Sequence, residues 1–153
     1  MKWLELRIPP PVVALIFAGP MAVCARALPM LSVLIPPHRV LAFAVALLGL
    51  GIDVVAVVSF LRARTTINPM TPGATESLVT SGIYSVTRNP MYLGLTLLLT
   101  AWGLYLSNAL ALILVTGFVT YLTRYQIQPE ERILREKFGS GYDNYACRVR
   151  RWI

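Results

Sequence analysis

The sequence predicts an all-α membrane protein: about four transmembrane helices, a long cytoplasmic loop between the second and third, and an amphipathic helical segment at the C-terminus. Composition is the first reason. The 153 residues are 56% hydrophobic and 14% charged, with a mean hydropathy of +0.64, whereas a soluble domain carries about 25% charged residues. Patterning is the second. Apolar runs of bilayer-crossing length recur, separated by proline-rich or short polar connections and one long polar excursion. A chain of this length is expected to form one membrane-embedded domain, residues 1–153.

The first span is expected at residues 11–28, after the Pro9-Pro10-Pro11 break, with Pro20 inside it. It imitates a secretory signal, since Lys2 and Arg7 precede an apolar core and Ala25-Arg26-Ala27 resembles a cleavage site. Glu5, the three prolines and the spans that follow argue for a retained helix. Met21-Ala22-Val23-Cys24 imitates a lipobox but has Val23 where a small residue is required.

The second span is expected at residues 40–61. Gly49 and Gly51 would let another helix approach closely. Asp53 lies in this stretch, where a carboxylate costs about 2.5–3.5 kcal/mol. It should face protein or water, as an interhelical hydrogen bond or as a site or relay residue. The loop up to Asn89 carries the turn signals Asn68-Pro69 and Thr71-Pro72-Gly73.

Asn89-Pro90 reads as an N-cap followed by proline at the first helical position, starting a third span at residues 90–106. Ser107-Asn108 is a tight connection whose Asn108 can cap a fourth span at residues 109–123. Beyond Arg124 the pattern turns amphipathic. Pro129 with Glu130 and Glu131 reads as a new helix start, with Leu134, Phe138 and Tyr142 at helical spacing. Arg148, Arg150 and Arg151 around Trp152 suit a tail at an anionic membrane surface.

The formal charge of +7 needs no nucleic acid. With the N-terminus in the cytoplasm, Lys2, Arg7, Arg62, Arg64, Arg88, Arg124 and the basic C-terminus all fall on the cytoplasmic side, leaving Arg26 and Arg39 opposite. Both termini are therefore expected in the cytoplasm. Cys24 and Cys147 are too few and too far apart for a disulfide framework, and His38 is the single histidine, so no metal site is expected.

Two polar, motif-dense segments flank the hairpin of the third and fourth spans, which returns them to one membrane face. One is Leu78-Val79-Thr80-Ser81-Gly82-Ile83-Tyr84-Ser85 with Arg88-Asn89-Pro90-Met91-Tyr92. The other runs from Pro129, Glu130 and Glu131 through Phe138-Gly139 to Tyr142 and Tyr145. From about residue 65 to the C-terminus these motifs resemble the integral-membrane methyltransferases grouped with isoprenylcysteine carboxyl methyltransferase, to which phospholipid N-methyltransferases are related. The resemblance implies catalytic elements at about residues 65–94 and 124–150, and S-adenosylmethionine as methyl donor. Its implied cofactor contacts are Glu76, Ser77, Leu78, Val79, Tyr84, Asn89, Pro90, Met91, Tyr92 and Glu130. The chemistry agrees. Glu130 can bind an ammonium, aromatic faces attract a sulfonium, and helix-start amides suit a carboxylate.

Arg124, Gln126 and Glu131 are the residues expected on the acceptor side. Enzymes of this kind that act on prenylated cysteine carry histidine at the positions of Asn89 and Glu76, and an arginine where this chain has Gln126. A lipophilic or amphipathic acceptor entering from the bilayer is expected, with a prenylcysteine carboxylate, a phospholipid amine or a small thiol left open. An acceptor that must lose a proton makes Glu131, Tyr142 or Tyr145 a candidate base. Two readings of other classes are an NADPH-dependent membrane reductase and a non-catalytic membrane factor.

Overall fold

Four apolar helices precede two shorter ones in the computed structural model, which describes residues 5–33, 37–62 and 78–153. They are α1 (Pro10–Ala27), α2 (His38–Arg62), α3 (Pro90–Leu106) and α4 (Ala109–Leu122), followed by α5 (Gln128–Phe138) and α6 (Ser140–Arg148). The all-helical membrane class agrees with expectation, and helices cover the residues at which the four spans are expected. Three helical stretches are long and apolar enough to cross a membrane; α3, with 17 residues, is shorter and stands at the low end of the crossing range of about 17–25 residues. Leu15, Val40, Phe43, Leu61 and Ile113 point outward, where lipid makes an apolar surface stable.

The second and third helices approach most closely at glycines. A Cβ on Gly49 would stand 2.9 Å from the Gly94 carbonyl oxygen. α1 packs on the hairpin of α3 and α4, with Met21 beneath Gly103 and the Phe17 ring edge-on to Phe118 at 5.6 Å. Val13, Met21, Leu99, Phe118, Leu122 and Ile127 form the core between them.

Asn108 ties the far end together, and its capping role is as expected. Its Oδ1 accepts from Leu110 N at 3.1 Å and Ala111 N at 3.2 Å. Its Nδ2 donates to the Leu28 carbonyl at 3.0 Å, holding the end of α1.

At the opposite end the expected break at Pro129 does not occur. α4 runs through a π-helical turn, Thr123–Ile127, straight into α5. Its 30 residues make a rod of about 45 Å, so roughly the last third projects beyond a hydrocarbon layer of about 30 Å. Proline is tolerated there because of a distant partner. Pro129 has no N–H for the Tyr125 carbonyl, and Leu6 N donates to that oxygen instead at 3.0 Å. Gln126 Nε2 then donates to the Ile8 carbonyl at 2.7 Å, and Glu5 pairs with Arg132. Gly139, at φ +51, separates α5 from α6 in a conformation that suits glycine.

Candidate functional site

The tail after α6 turns inward along the start of α3. Arg88 N donates to the Arg150 carbonyl at 3.0 Å, and Asn89 Nδ2 donates to the Arg151 carbonyl at 2.8 Å. Asn89 stands at the N-cap position but makes no side-chain cap bond, because its amide is engaged with the tail. Trp152 Nε1 donates to Thr123 Oγ1 at 3.3 Å. Arg151 and Trp152 are thus half-buried against the helices, while Arg148 and Arg150 remain exposed.

This arrangement separates the two adjacent acids of α5. One residue of helix turns a side chain by roughly 100°, so Glu130 and Glu131 address different neighbours. Glu131 is clasped by two guanidinium groups, with Oε1 at 2.9 Å from Arg88 Nη2, and Arg151 at 3.0 Å from Oε1 and 2.7 Å from Oε2. Glu130 accepts from the Tyr92 hydroxyl at 3.0 Å and makes no ion pair among the described residues. Burial raises its carboxyl to about 7, with the Glu131 charge adding and the Tyr92 hydrogen bond opposing.

The 78–89 segment supplies the other wall. Residues Gly82–Ser85 form a short 3-10 turn that buries Tyr84, whose ring meets Phe60 of α2 edge-on at 5.2 Å. Tyr145 donates from its hydroxyl to the Tyr84 carbonyl at 2.7 Å, fastening α6 to this turn. Burial, then the Glu130, Tyr145 and Asp53 charges, hold the Tyr84 phenol well above its ordinary value. Leu78 packs against Tyr142, Tyr145 and Val149. Val79 and Met91 are half-buried, and Pro90 and Tyr92 are buried. Glu76 and Ser77 lie outside the described residues.

The structure therefore gathers Tyr84, Pro90, Tyr92 and Glu130 at the open end of α3. It does not gather the three residues expected on the acceptor side. Glu131 is held by arginines, and Gln126 is fully buried on Ile8. Arg124 lines a cleft of about 510 Å3 with Glu5, Thr120, Thr123, Gln128 and Arg132. Gln128 and Arg132 each stand two residues from Glu130, roughly 200° around the helix, so this cleft opens on the other side of the rod. Tyr142 and Tyr145 are poor bases: burial first, then Glu131, pushes the Tyr142 phenol up to about 12, and burial raises Tyr145 as well.

The Arg151 clasp and the Thr87 hydroxyl, which accepts from Asn89 N at 3.2 Å, were not visible from the sequence. No spacing rule links a C-terminal arginine to an acid twenty residues earlier across a glycine break.

Residues 37–141 match the phospholipid methyltransferase family, a stretch that runs from the start of α2 into α6 and contains Tyr84, Tyr92, Glu130 and Glu131. A protein of Haemophilus influenzae, itself uncharacterised, is 46% identical over 63 residues, which is 41% of this chain and 100% of that protein. No solved structure matches the chain. The family match spans more than half of the sequence, with the first motif segment and the start of the second, and on that ground the chain belongs to the phospholipid methyltransferase family of membrane methyltransferases.

Proposed function

We propose that this chain transfers a methyl group from S-adenosylmethionine to a lipophilic or amphipathic acceptor that enters from the bilayer. The observation that carries the reading is Glu130: a half-buried carboxylate, braced by Tyr92, without a cation among the described residues, beside a Glu131 that has two. An uncompensated carboxylate beside the Tyr92 hydroxyl fits the ammonium of the cofactor. S-adenosylmethionine, when bound, supplies a methyl group on a positively charged sulfur.

The chain's own residues bind and orient. Glu130 holds the ammonium, and the first-turn amides of α3 at Met91 and Tyr92 suit its carboxylate. Leu78, Val79, Pro90 and Met91 offer apolar surface for adenine, and the Tyr84 and Tyr92 rings attract the sulfonium. Asn89 acts through the tail it anchors, and Glu76 and Ser77, outside the described residues, remain proposed contacts. Holding acceptor and methyl in line can supply about 7–11 kcal/mol of barrier lowering. The Glu131 clasp keeps the α3 start and the tail in place.

The basic side chains Arg62, Arg88, Arg124 and Arg151 at this end support its placement in the cytoplasm, with both termini there. Gln126, occupied by Ile8, leaves no guanidinium at the position that prenylcysteine enzymes use, which favours a phospholipid-like amine over a prenylcysteine carboxylate; a thiol acceptor is the alternative.

Calorimetric titration of the detergent-solubilised protein with S-adenosylmethionine and its demethylated product tests the reading. Saturable binding is expected in wild type and its loss in Glu130→Ala. Binding of NADPH instead would indicate a reductase, and binding of neither a non-catalytic membrane factor.

A further inference from the structure

Asp53 is the one acidic residue within α1 to α4, and its Oδ1 is buried without a hydrogen-bond partner. The interhelical hydrogen bond expected from the sequence is absent at that oxygen. Room for the carboxylate comes from α3: a Cβ at position 94 would overlap it. Gly49, Asp53, Ala56 and Phe60 recur at helical spacing on one face of α2. Gly49 meets the Gly94 backbone, Ala56 is fully buried and Phe60 meets Tyr84. The carboxylate therefore sits between α2 and α3, beside a residue two positions past the Tyr92 that holds Glu130. A carboxylate kept within an apolar helix against a cost of about 2.5–3.5 kcal/mol, without a cation partner among the described residues, marks a functional group.

We infer that Asp53 is the acceptor carboxylate of this enzyme, holding the nitrogen of an amine-bearing amphiphile between α2 and α3 and taking the proton that this nitrogen must lose. The inference rests on the methyl-transfer reading above and names its acceptor class. An ammonium supplies the cation that Asp53 lacks among the described residues, whereas a carboxylate acceptor would meet a like charge. In the step, an N–H proton passes to the Asp53 carboxylate and the freed nitrogen lone pair forms the N–C bond to the methyl. The C–S bond breaks with its electron pair going to sulfur, whose positive charge is cancelled. The proton on Asp53 then leaves to water.

The test needs no turnover. Protein in nanodiscs of neutral lipid, without cofactor, is titrated with spin-labelled octadecylamine and with the matched alcohol and carboxylic acid, and the immobilised fraction is read by electron paramagnetic resonance. Wild type is expected to prefer the amine by about tenfold or more, and Asp53→Asn, which keeps the shape and removes an unpaired charge, to lose that preference. Butylamine is expected not to compete; competition equal to that of octadecylamine would overturn entry from the bilayer. S-adenosylmethionine binding by Asp53→Asn should stay within about threefold of wild type, while methyl transfer to the amine falls about a hundredfold or more. Equal binding of amine and alcohol by wild type, or an amine preference that survives in Asp53→Asn, would overturn the inference alone. No S-adenosylmethionine binding by wild type would overturn the methyl-transfer reading and the catalytic step with it.

Discussion

The Tyr92 hydroxyl donates to Oε2 of Glu130 across 3.0 Å and thereby joins the first turn of α3 to the first turn of α5. One carboxylate oxygen is fixed by a neutral donor, so the charge of Glu130 is oriented but not neutralised. That distinguishes it from Glu131, whose two oxygens both face guanidinium groups.

The first consequence is a pH window for the cofactor. Burial holds Glu130 up at about 7, and an ammonium ligand needs the ionised carboxylate. The ligand's own α-amino group loses its proton at about 7.7–8.0. Affinity for S-adenosylmethionine is expected to rise toward neutrality, peak between these values and fall on either flank by roughly tenfold per pH unit. Calorimetry across this range checks it; a flat profile would remove Glu130 from the contact.

The same carboxylate should weaken the fold it serves. Its value in the folded protein, about 7, lies above its ordinary 4.5, so the folded state binds the proton more tightly than the unfolded one. The stability this confers is complete below 4.5 and is lost as pH rises through about 7. Glu130→Gln, which can still accept from Tyr92, is expected to melt above wild type at pH values beyond 7, with the gap closing under acid conditions. Thermal melts of both proteins across the range decide this, and a gap that widens in acid would contradict it.

Glu131 is expected to hold the fold together through its ion pairs. Its carboxylate is buried and engages Arg88 and Arg151, so Glu131→Ala strands two cations against the α3 start. A loss of about 3–5 kcal/mol is expected, the usual penalty for removing one partner of a buried pair. Equilibrium unfolding in mixed detergent measures it. A stable Glu131→Ala protein with normal cofactor affinity but no transfer would instead return Glu131 to the acceptor side.

The apolar helices and the Asn108 cap were legible because each depends on neighbours within a few residues: an apolar run, or an amide two and three positions before the N–H groups it accepts from. The motif positions Tyr92 and Glu130 were legible as a pair only through resemblance, since nothing local says which of Glu130 and Glu131 turns toward α3. Pro129 misled for a physical reason. A proline after an apolar span normally opens a new helix, but here the Tyr125 carbonyl it leaves empty is filled by Leu6 from the other end of the chain. Asn89 misled similarly: its position suits a cap, and the Arg151 carbonyl, far away in sequence, takes its amide.

That distant strap carries the last prediction. Gln126 is fully buried and gives its amide to the Ile8 carbonyl at 2.7 Å, while its Oε1 meets no donor. Gln126→Leu fills the same space and orphans only Ile8, so a loss of about 1 kcal/mol is expected, with transfer kinetics essentially unchanged. Leu6→Pro removes the N–H that fills the Tyr125 carbonyl and cannot adopt the φ of +54 found at that position. It should loosen the π-helical turn that sets the direction of Glu130, and so weaken cofactor binding as well as stability. Steady-state kinetics beside calorimetry separate the two roles. A Gln126→Leu protein that keeps its melting temperature but loses more than about tenfold in kcat/KM would have lost transition-state binding, which places Gln126 against the acceptor rather than under the strap.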